Sequence, residues 1–237
     1  MKKIFAAILA LAVALFAVCA AAESSPLLYR VTDGDGHTVY LLGTIHIGSE
    51  DMYPLSDAVN RAYEEAEILA VEADIVALQQ DLGAVMAMSL ALMYGPGDDA
   101  TQHMTQQNYE LAVKMLDYPE ILLRRMRPAA WLSLAEEKIY REAGLSEEYG
   151  VDMHLLTRAH QDGKQIDELE GVDSQLDVLI GMPDRIAEIQ LMSELTFSFL
   201  IAETYNALFE AWRAGDAEGL RRMLETDDEA LDRKSVV

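Results

Sequence analysis

Three polar side chains, His46, Glu72 and Glu170, each follow a strand-like segment, and their types suit metal-assisted hydrolysis. His46 lies in a Gly-Thr-x-His-x-Gly turn, Glu72 follows the apolar run 68–71, and Glu170 follows residues 164–169. A neutral imidazole with one or two carboxylates is a suitable ligand set for Mn, Co or Zn and leaves coordination positions for water. A carboxylate that is not a ligand can take a proton from that water. These three residues are therefore the candidate metal ligands and catalytic groups.

Each candidate also has an ordinary structural interpretation. The two glycines of the turn allow a tight connection from strand to loop, so His46 can be a hydrogen-bonded turn residue with no further role. Glu72 can cap the helix that follows its strand, and Glu170 can do the same for a helix that begins near Asp173. Taken one at a time, these motifs leave both interpretations open.

The N-terminal segments predict a hairpin followed by a βαβ unit. Residues 27–31 and 38–42 are strand-like and flank an Asp/Gly-rich turn, which is typical of a β-hairpin. Ser56 can cap a helix that extends to Glu67, and the apolar run 68–71 then predicts a buried strand. Because parallel strands have their carboxyl ends at one edge of a sheet, we expect the histidine and the first glutamate to face the same crevice.

A large helical insertion is predicted between the later strands. It begins with one apolar, methionine-bearing helix over residues 75–93 and continues with helices near Thr105 and over residues 129–143. The longest helix is predicted over residues 183–213. The sequence thus predicts an α/β fold, with a mixed sheet containing βαβ units, an N-terminal hairpin and this insertion.

Residues 1–22 have the features of a secretory signal peptide. Two lysines precede an apolar run, which ends in three alanines before Glu23. An uncleaved anchor fits less well, because the charge-free run is short for a spanning helix and ends in small residues. We therefore expect a periplasmic or extracellular protein with one domain over residues 23–237. The only cysteine, Cys19, lies inside the signal, which excludes a disulfide framework.

The charge and the missing motifs exclude several functional classes. Without residues 1–22 the chain keeps 16 basic and 41 acidic side chains, a formal charge of −25. Such a surface repels phosphate and anionic lipid and attracts cations, so we expect neither nucleic-acid binding nor membrane insertion after signal cleavage. The sequence contains no serine-hydrolase elbow, P-loop, H-E-x-x-H motif or dinucleotide fingerprint, which leaves those enzyme classes without support.

Ordered motifs along most of the chain resemble one known family. The motifs are Gly43–Gly48, Tyr53–Leu55, Val71–Asp74, Gly150–Asp152, Gly163–Ile166, Leu169–Glu170, Gln175–Leu176 and Ala211–Asp216. Together they resemble the TraB/GumN family, relatives of the Tiki metalloproteases, from about Tyr40 to Asp216. Because the Tiki relatives are proteases, the resemblance implies a peptidase-like hydrolase with a peptide or protein substrate and a divalent metal.

One part of the family pattern is absent from this sequence. Members usually carry a second Gly-x-x-His near the carboxyl end, whereas this sequence ends at Val237 without one, so we expect a domain that is C-terminally incomplete. His37 fits that spelling but lies in the predicted hairpin turn, and we do not assign it to the site. The rival hypothesis is a non-catalytic binding or interaction module of the cell envelope on the same scaffold.

Overall fold

The computed structural model of the protein describes residues 27–232. The predicted signal peptide, residues 1–22, lies outside the described residues. No helix within residues 27–232 is both long and apolar enough to cross a membrane.

Four short strands form two separate two-stranded sheets in the described part of the chain. The strands are β1 (Leu28–Thr32), β2 (Thr38–Leu42), β3 (Ile68–Val71) and β4 (Gln165–Glu168). β1 and β2 form an antiparallel hairpin in which Arg30 lies opposite Tyr40. β3 and β4 pair in parallel, with Leu69 opposite Ile166. The parallel and antiparallel pairs are therefore separate sheets.

The predicted α/β class, N-terminal hairpin and helical insertion are confirmed, but the expected parallel pairing of β2 with β3 is wrong. The chain after β2 takes backbone hydrogen bonds from a later segment instead. Val151 N–H donates to Ile45 O at 2.9 Å, and Gly48 forms an isolated bridge with Ser146. β3 pairs with β4, at the far end of the insertion.

Ten helices occupy most of the described residues, and six of them (α2–α7) lie between β3 and β4. The helices are α1 (Asp57–Glu65), α2 (Ile75–Gln80), α3 (Leu82–Ala91), α4 (Gln106–Leu116), α5 (Glu120–Leu123), α6 (Pro128–Glu142), α7 (Val151–Asp162), α8 (Val172–Gly181), α9 (Asp184–Arg213) and α10 (Ala217–Asp232).

Capping side chains set the helix boundaries near the N-terminus. The Ser56 hydroxyl accepts from Val59 N–H at 3.3 Å and starts α1, as predicted. The predicted single helix over residues 75–93 is instead divided into α2 and α3 at Asp81. The Asp81 carboxylate accepts from Ala84 N–H at 3.0 Å and so caps the second helix. A short acidic side chain that bonds the backbone in this way favours a helix start over continuation.

Two larger hydrophobic clusters and a small one of Ile47, Leu145 and Phe209 hold these elements together. The first of the larger clusters lies where α9 packs along α6, and it includes the fully buried Trp131 and Leu191. Trp131 Nε1 donates to Leu123 O at 2.9 Å, so its polar atom is satisfied inside the core. The second of the larger clusters joins α1 to α7 through Tyr63 and Val151, and residues of the hairpin and the loop after β2 pack against it. This second cluster supports the candidate site.

Candidate functional site

The loop that carries His46 is tied to the start of α7 through its backbone. Besides the bond from Val151 to Ile45, Gly48 N–H donates to Ser146 O at 2.9 Å and Ser146 N–H donates to Gly48 O at 2.8 Å. These bonds lie on both sides of His46 in the sequence. The imidazole is therefore presented by a bonded loop and not by a free one.

Two glycines in this region are required by close approach of backbones. A Cβ at Gly150 would overlap His46 O, and a Cβ at Gly48 would overlap Tyr149 O. Gly150 has φ −62°, an angle that any residue can adopt, so the contact and not the backbone angle demands glycine there. The same loop is tied to α9, because Trp212 Nε1 donates to Gly43 O at 2.8 Å.

The His46 imidazole is paired with the carboxylate of Asp152, the second residue of α7. The distance from His46 Nδ1 to Asp152 Oδ2 is 2.8 Å. Because an ionised carboxylate only accepts, Nδ1 carries a proton, and in the neutral imidazole Nε2 then keeps the lone pair. The His46 side chain is 74% exposed, so Nε2 is accessible to a ligand or substrate.

Neighbouring carboxylates control protonation at this pair. The hydrogen bond to Asp152 raises the pKa of His46; partial burial opposes this, and the charges of Asp152, Glu72 and Glu147 add to it. Burial raises the pKa of the Asp152 carboxyl, but hydrogen bonds from His46 and Thr44 outweigh it and hold that pKa below its usual value. The pair thus favours a charged aspartate beside an imidazole that holds its proton more tightly.

His46 and Glu72 line one open cleft of about 540 Å³. Its lining residues are His46, Val71, Glu72, Ala73, Ile75, Gln79, Glu147, Glu148, Asp152, Met153 and Leu156. Glu170 is exposed and does not line the cleft, although its backbone N–H donates to Glu72 O at 3.1 Å. The structure therefore brings two of the three predicted site residues to one cleft and places the third at its margin.

The donor types in the cleft fit a divalent ion, since Nε2 of His46 and several carboxylates line it. However, no three ligand atoms of the cleft lie within 4.8 Å of one another among the described side chains. Among the side chains that the structure describes, the one such group is Asp33, Asp35 and His37, whose ligand atoms lie within 4.8 Å of one another. All three are exposed, and Asp33 accepts from the backbone N–H of the other two, as expected for the predicted turn.

Asp152 is a candidate site residue that the sequence pattern does not single out. In the sequence it is part of the Gly150–Asp152 motif that opens a helix, and in the structure it contacts His46 directly across 106 residues. The available signal was an acidic residue in the first turn of a helix, directly after a glycine of the motif. Such residues usually complement the helix dipole, which conceals a second role.

Three other histidines have partners that explain them structurally. His160 Nε2 contacts the Asp74 carboxylate at 2.9 Å, which ties α7 to the start of α2. His103 Nε2 contacts the Asp98 carboxylate at 2.8 Å. The ring of His154 packs against the ring of Tyr53, with 4.3 Å between the centroids. None of these three histidines lines the cleft.

Comparisons with known proteins agree with the ordered motifs. A profile of the TraB/PrgY/gumN family matches residues 27–236. An uncharacterized protein YbaP of Shigella flexneri is 29% identical over 152 residues, which cover 64% of this chain and 55% of that protein. The YbaP protein of Escherichia coli strain K12 is 29% identical over 146 residues, or 62% and 53% of the two chains. The matched region thus spans about half the length of these curated relatives, and no solved structure matches the chain significantly.

Proposed function

Because the chain belongs to the TraB/PrgY/gumN family, we propose that it is an exported, metal-dependent hydrolase that cleaves peptide bonds. One observation carries the proposal: His46 and Glu72 line the same cleft, and Asp152 holds the imidazole by its Nδ1. A carboxylate that orients a histidine in this way is a recurrent support for a metal-binding imidazole.

Under this proposal each residue of the site has a defined role. His46 Nε2 and the Glu72 carboxylate hold a divalent ion, Mn, Co or Zn. Glu170 is the third proposed ligand from its position shortly after β4; its side chain is outside the cleft lining, and its backbone N–H donates to Glu72 O. Such an ion, when bound, polarises the substrate carbonyl and activates water. Asp152 fixes the imidazole tautomer, and a cleft carboxylate that is not a ligand accepts the proton from water.

The proton on His46 competes with the metal. A ligating imidazole must be neutral at Nε2, and Asp152 raises the pKa of this imidazole. Metal affinity is therefore expected to increase as the pH rises through that raised pKa.

The test measures metal and activity together. The purified protein is incubated with Mn, Co or Zn, freed of excess metal, and measured by elemental analysis, beside hydrolysis of a mixed peptide library. We expect His46→Ala to lose most of the metal, and the matched variant His103→Ala, outside both the cleft and the hairpin group, to keep it. Equal metal in the wild type and in His46→Ala would remove His46 as a ligand. Turnover that persists in Glu72→Gln would remove Glu72 from the chemistry.

Export is a separate part of the proposal, supported by the sequence of residues 1–22. We expect mass spectrometry of protein from the cell envelope to find an N-terminus between Ala20 and Glu23. Recovery of envelope protein that still carries Met1 would contradict cleavage.

A second candidate function is a non-catalytic binding module of the envelope on the same scaffold. One observation favours it: among the described residues, no three ligand atoms of the cleft lie within 4.8 Å of one another. A protein that holds peptides without metal and without turnover would match this candidate and not the hydrolase.

A further inference from the structure

The cleft lining has two chemically distinct parts. One part is apolar and consists of Val71, Ala73, Ile75, Met153 and Leu156. The other part holds the carboxylates of Glu72, Glu147, Glu148 and Asp152 with the His46 imidazole. No lysine or arginine belongs to the lining.

Two of the four carboxylates in the lining have no positively charged partner among the described residues. Asp152 is bonded to His46, and Glu72 is the proposed ligand. Glu147 and Glu148 are exposed on the one-turn helix Glu147–Tyr149 before α7, and neither forms an ion pair with a lysine or arginine among the described residues. Glu147 also raises the pKa of His46 and that of Glu136, so its negative charge acts on both sides of the turn.

An apolar surface beside free carboxylates is complementary to a long cationic side chain. Lysine and arginine bury their methylene stems on apolar surface and keep the charged head at a polar rim. A small hydrated cation would use the carboxylates but would gain nothing from five apolar lining residues. A cleft of about 540 Å³ has room for such a side chain together with the adjoining peptide backbone.

We propose that this cleft selects peptides with a lysine or arginine side chain, which Glu147 and Glu148 recognise by charge while the apolar lining holds its stem. The inference deepens the proposed function and rests on it for the identity of the cleft. It assigns specificity to the turn before α7, which is separate from the proposed metal ligands His46, Glu72 and Glu170.

The test measures binding at the cleft and does not require turnover. The full protein carries [¹³C-methyl]methionine, and Met153, a lining residue, is assigned with Met153→Leu. Blocked pentapeptides with a central lysine or a central norleucine are titrated and followed at the Met153 methyl signal. We expect the lysine peptide to bind about fivefold more tightly, because two exposed carboxylates contribute a modest charge interaction each.

Two double variants separate the cleft from the general acidity of the chain. Glu147→Gln with Glu148→Gln should abolish the lysine preference. Glu203→Gln with Glu210→Gln removes the same two charges from exposed positions of α9 outside the lining and should leave the preference intact. An equal loss in both double variants, equal affinity for the two peptides, or an unmoved Met153 signal would each overturn the inference.

The two proposals fail in different ways. A lysine preference that depends on Glu147 and Glu148, without hydrolysis of any peptide, would refute the hydrolase and retain the ligand class. Hydrolysis at the same rate with and without a basic side chain in the peptide would retain the hydrolase and refute the preference for lysine or arginine.

Discussion

At the scale of single residues, the chemistry of His46 depends on one neighbour. The Asp152 carboxylate accepts a hydrogen bond from Nδ1–H of His46 at 2.8 Å, so it sets both the tautomer and the basicity of the ring. Thr44, two residues before His46, bonds the same carboxylate and keeps it ionised. A short polar side chain of the loop thus completes a three-residue network around one imidazole.

The substitution Asp152→Asn tests this dependence. An asparagine oxygen can still accept from Nδ1 but carries no charge, so the pKa of His46 should fall from its raised position. The measurement is an NMR titration of the His46 ring. Glu148→Gln, which removes a cleft charge without touching the ring, serves as the control and should move the midpoint less. An unchanged midpoint in Asp152→Asn would mean that another group raises the His46 pKa.

At the scale of elements, the site depends on how closely the loop after β2 approaches the start of α7. The two backbones approach so closely that neither Gly48 nor Gly150 can carry a Cβ without displacing its neighbour. The position of His46 is therefore set by a loop-to-helix contact.

Gly150→Ala should separate these two elements. The new methyl group overlaps His46 O, so we expect a loss of about 1 to 3 kcal/mol in the free energy of unfolding, as for other overpacked sites. Urea denaturation measures it. Gly95→Ala is the matched control, since nothing lies within 4 Å of a Cβ there. A loss in Gly150→Ala no larger than in Gly95→Ala would show that the contact is not tight.

The packed pair α6 and α9 contains a polar feature with a measurable consequence. Glu194 Oε2 is buried and has no hydrogen-bond partner among the described residues. Burial, helped by the charge of Glu136, raises the pKa of Glu194 to about 7. Burial and the charge of Glu147 raise that of Glu136 as well, while Tyr140 and Tyr205 lie edge to face nearby. The folded protein therefore favours a protonated Glu194.

This feature predicts a fall in stability at high pH. The folded state binds the Glu194 proton more tightly than the unfolded chain does. The stability that this proton contributes is therefore complete below about pH 4.5 and is lost as the pH rises through about 7. Glu194→Gln should flatten that slope and stabilise the protein at pH 8 by about 1 kcal/mol, allowing for solvent screening. Urea denaturation at pH 5 and pH 8 measures both effects. Glu203→Gln, exposed on the same helix, should retain the wild-type slope; the same slope in Glu194→Gln would contradict the argument.

At the scale of the whole molecule, like charge dominates. The chain has a formal charge of −23, with 41 acidic and 18 basic residues, and a sequence pI near 4.4. Such an excess opposes compaction through self-repulsion, while it favours cations over anions as ligands. The acidic cleft is thus one part of a negative charge that is spread over the whole chain.

Salt should therefore stabilise the folded protein. Raising NaCl from 10 to 150 mM shortens the screening length from about 30 Å to about 8 Å, which weakens repulsion between surface carboxylates. We expect the melting temperature to rise by about 3 °C, measured by calorimetry. Choline chloride should produce the same rise, because screening does not depend on which cation is used. A constant or falling melting temperature would argue against self-repulsion.

The sequence by itself determined the local features and the family. The Asp/Gly turn, the run 68–71, the cap at Ser56 and the ordered motifs all depend on residues that are near one another in the chain. Short-range sterics and side-chain capping act over such distances, so these predictions needed no knowledge of the rest of the fold. The apolar pattern wrongly predicts one helix over residues 75–93, because the Asp81 side chain caps a second helix inside that pattern.

Only the tertiary structure decided which distant groups meet. It separated β2 from β3, placed Glu170 outside the cleft lining, and brought Asp152 to His46 across 106 residues. A strand edge or a carboxylate can be satisfied by many partners of the same type, and local sequence carries no preference among them. The choice is made by the packing of the whole chain, in which residues 45–48 bond to residues 146–151 and β3 pairs with β4.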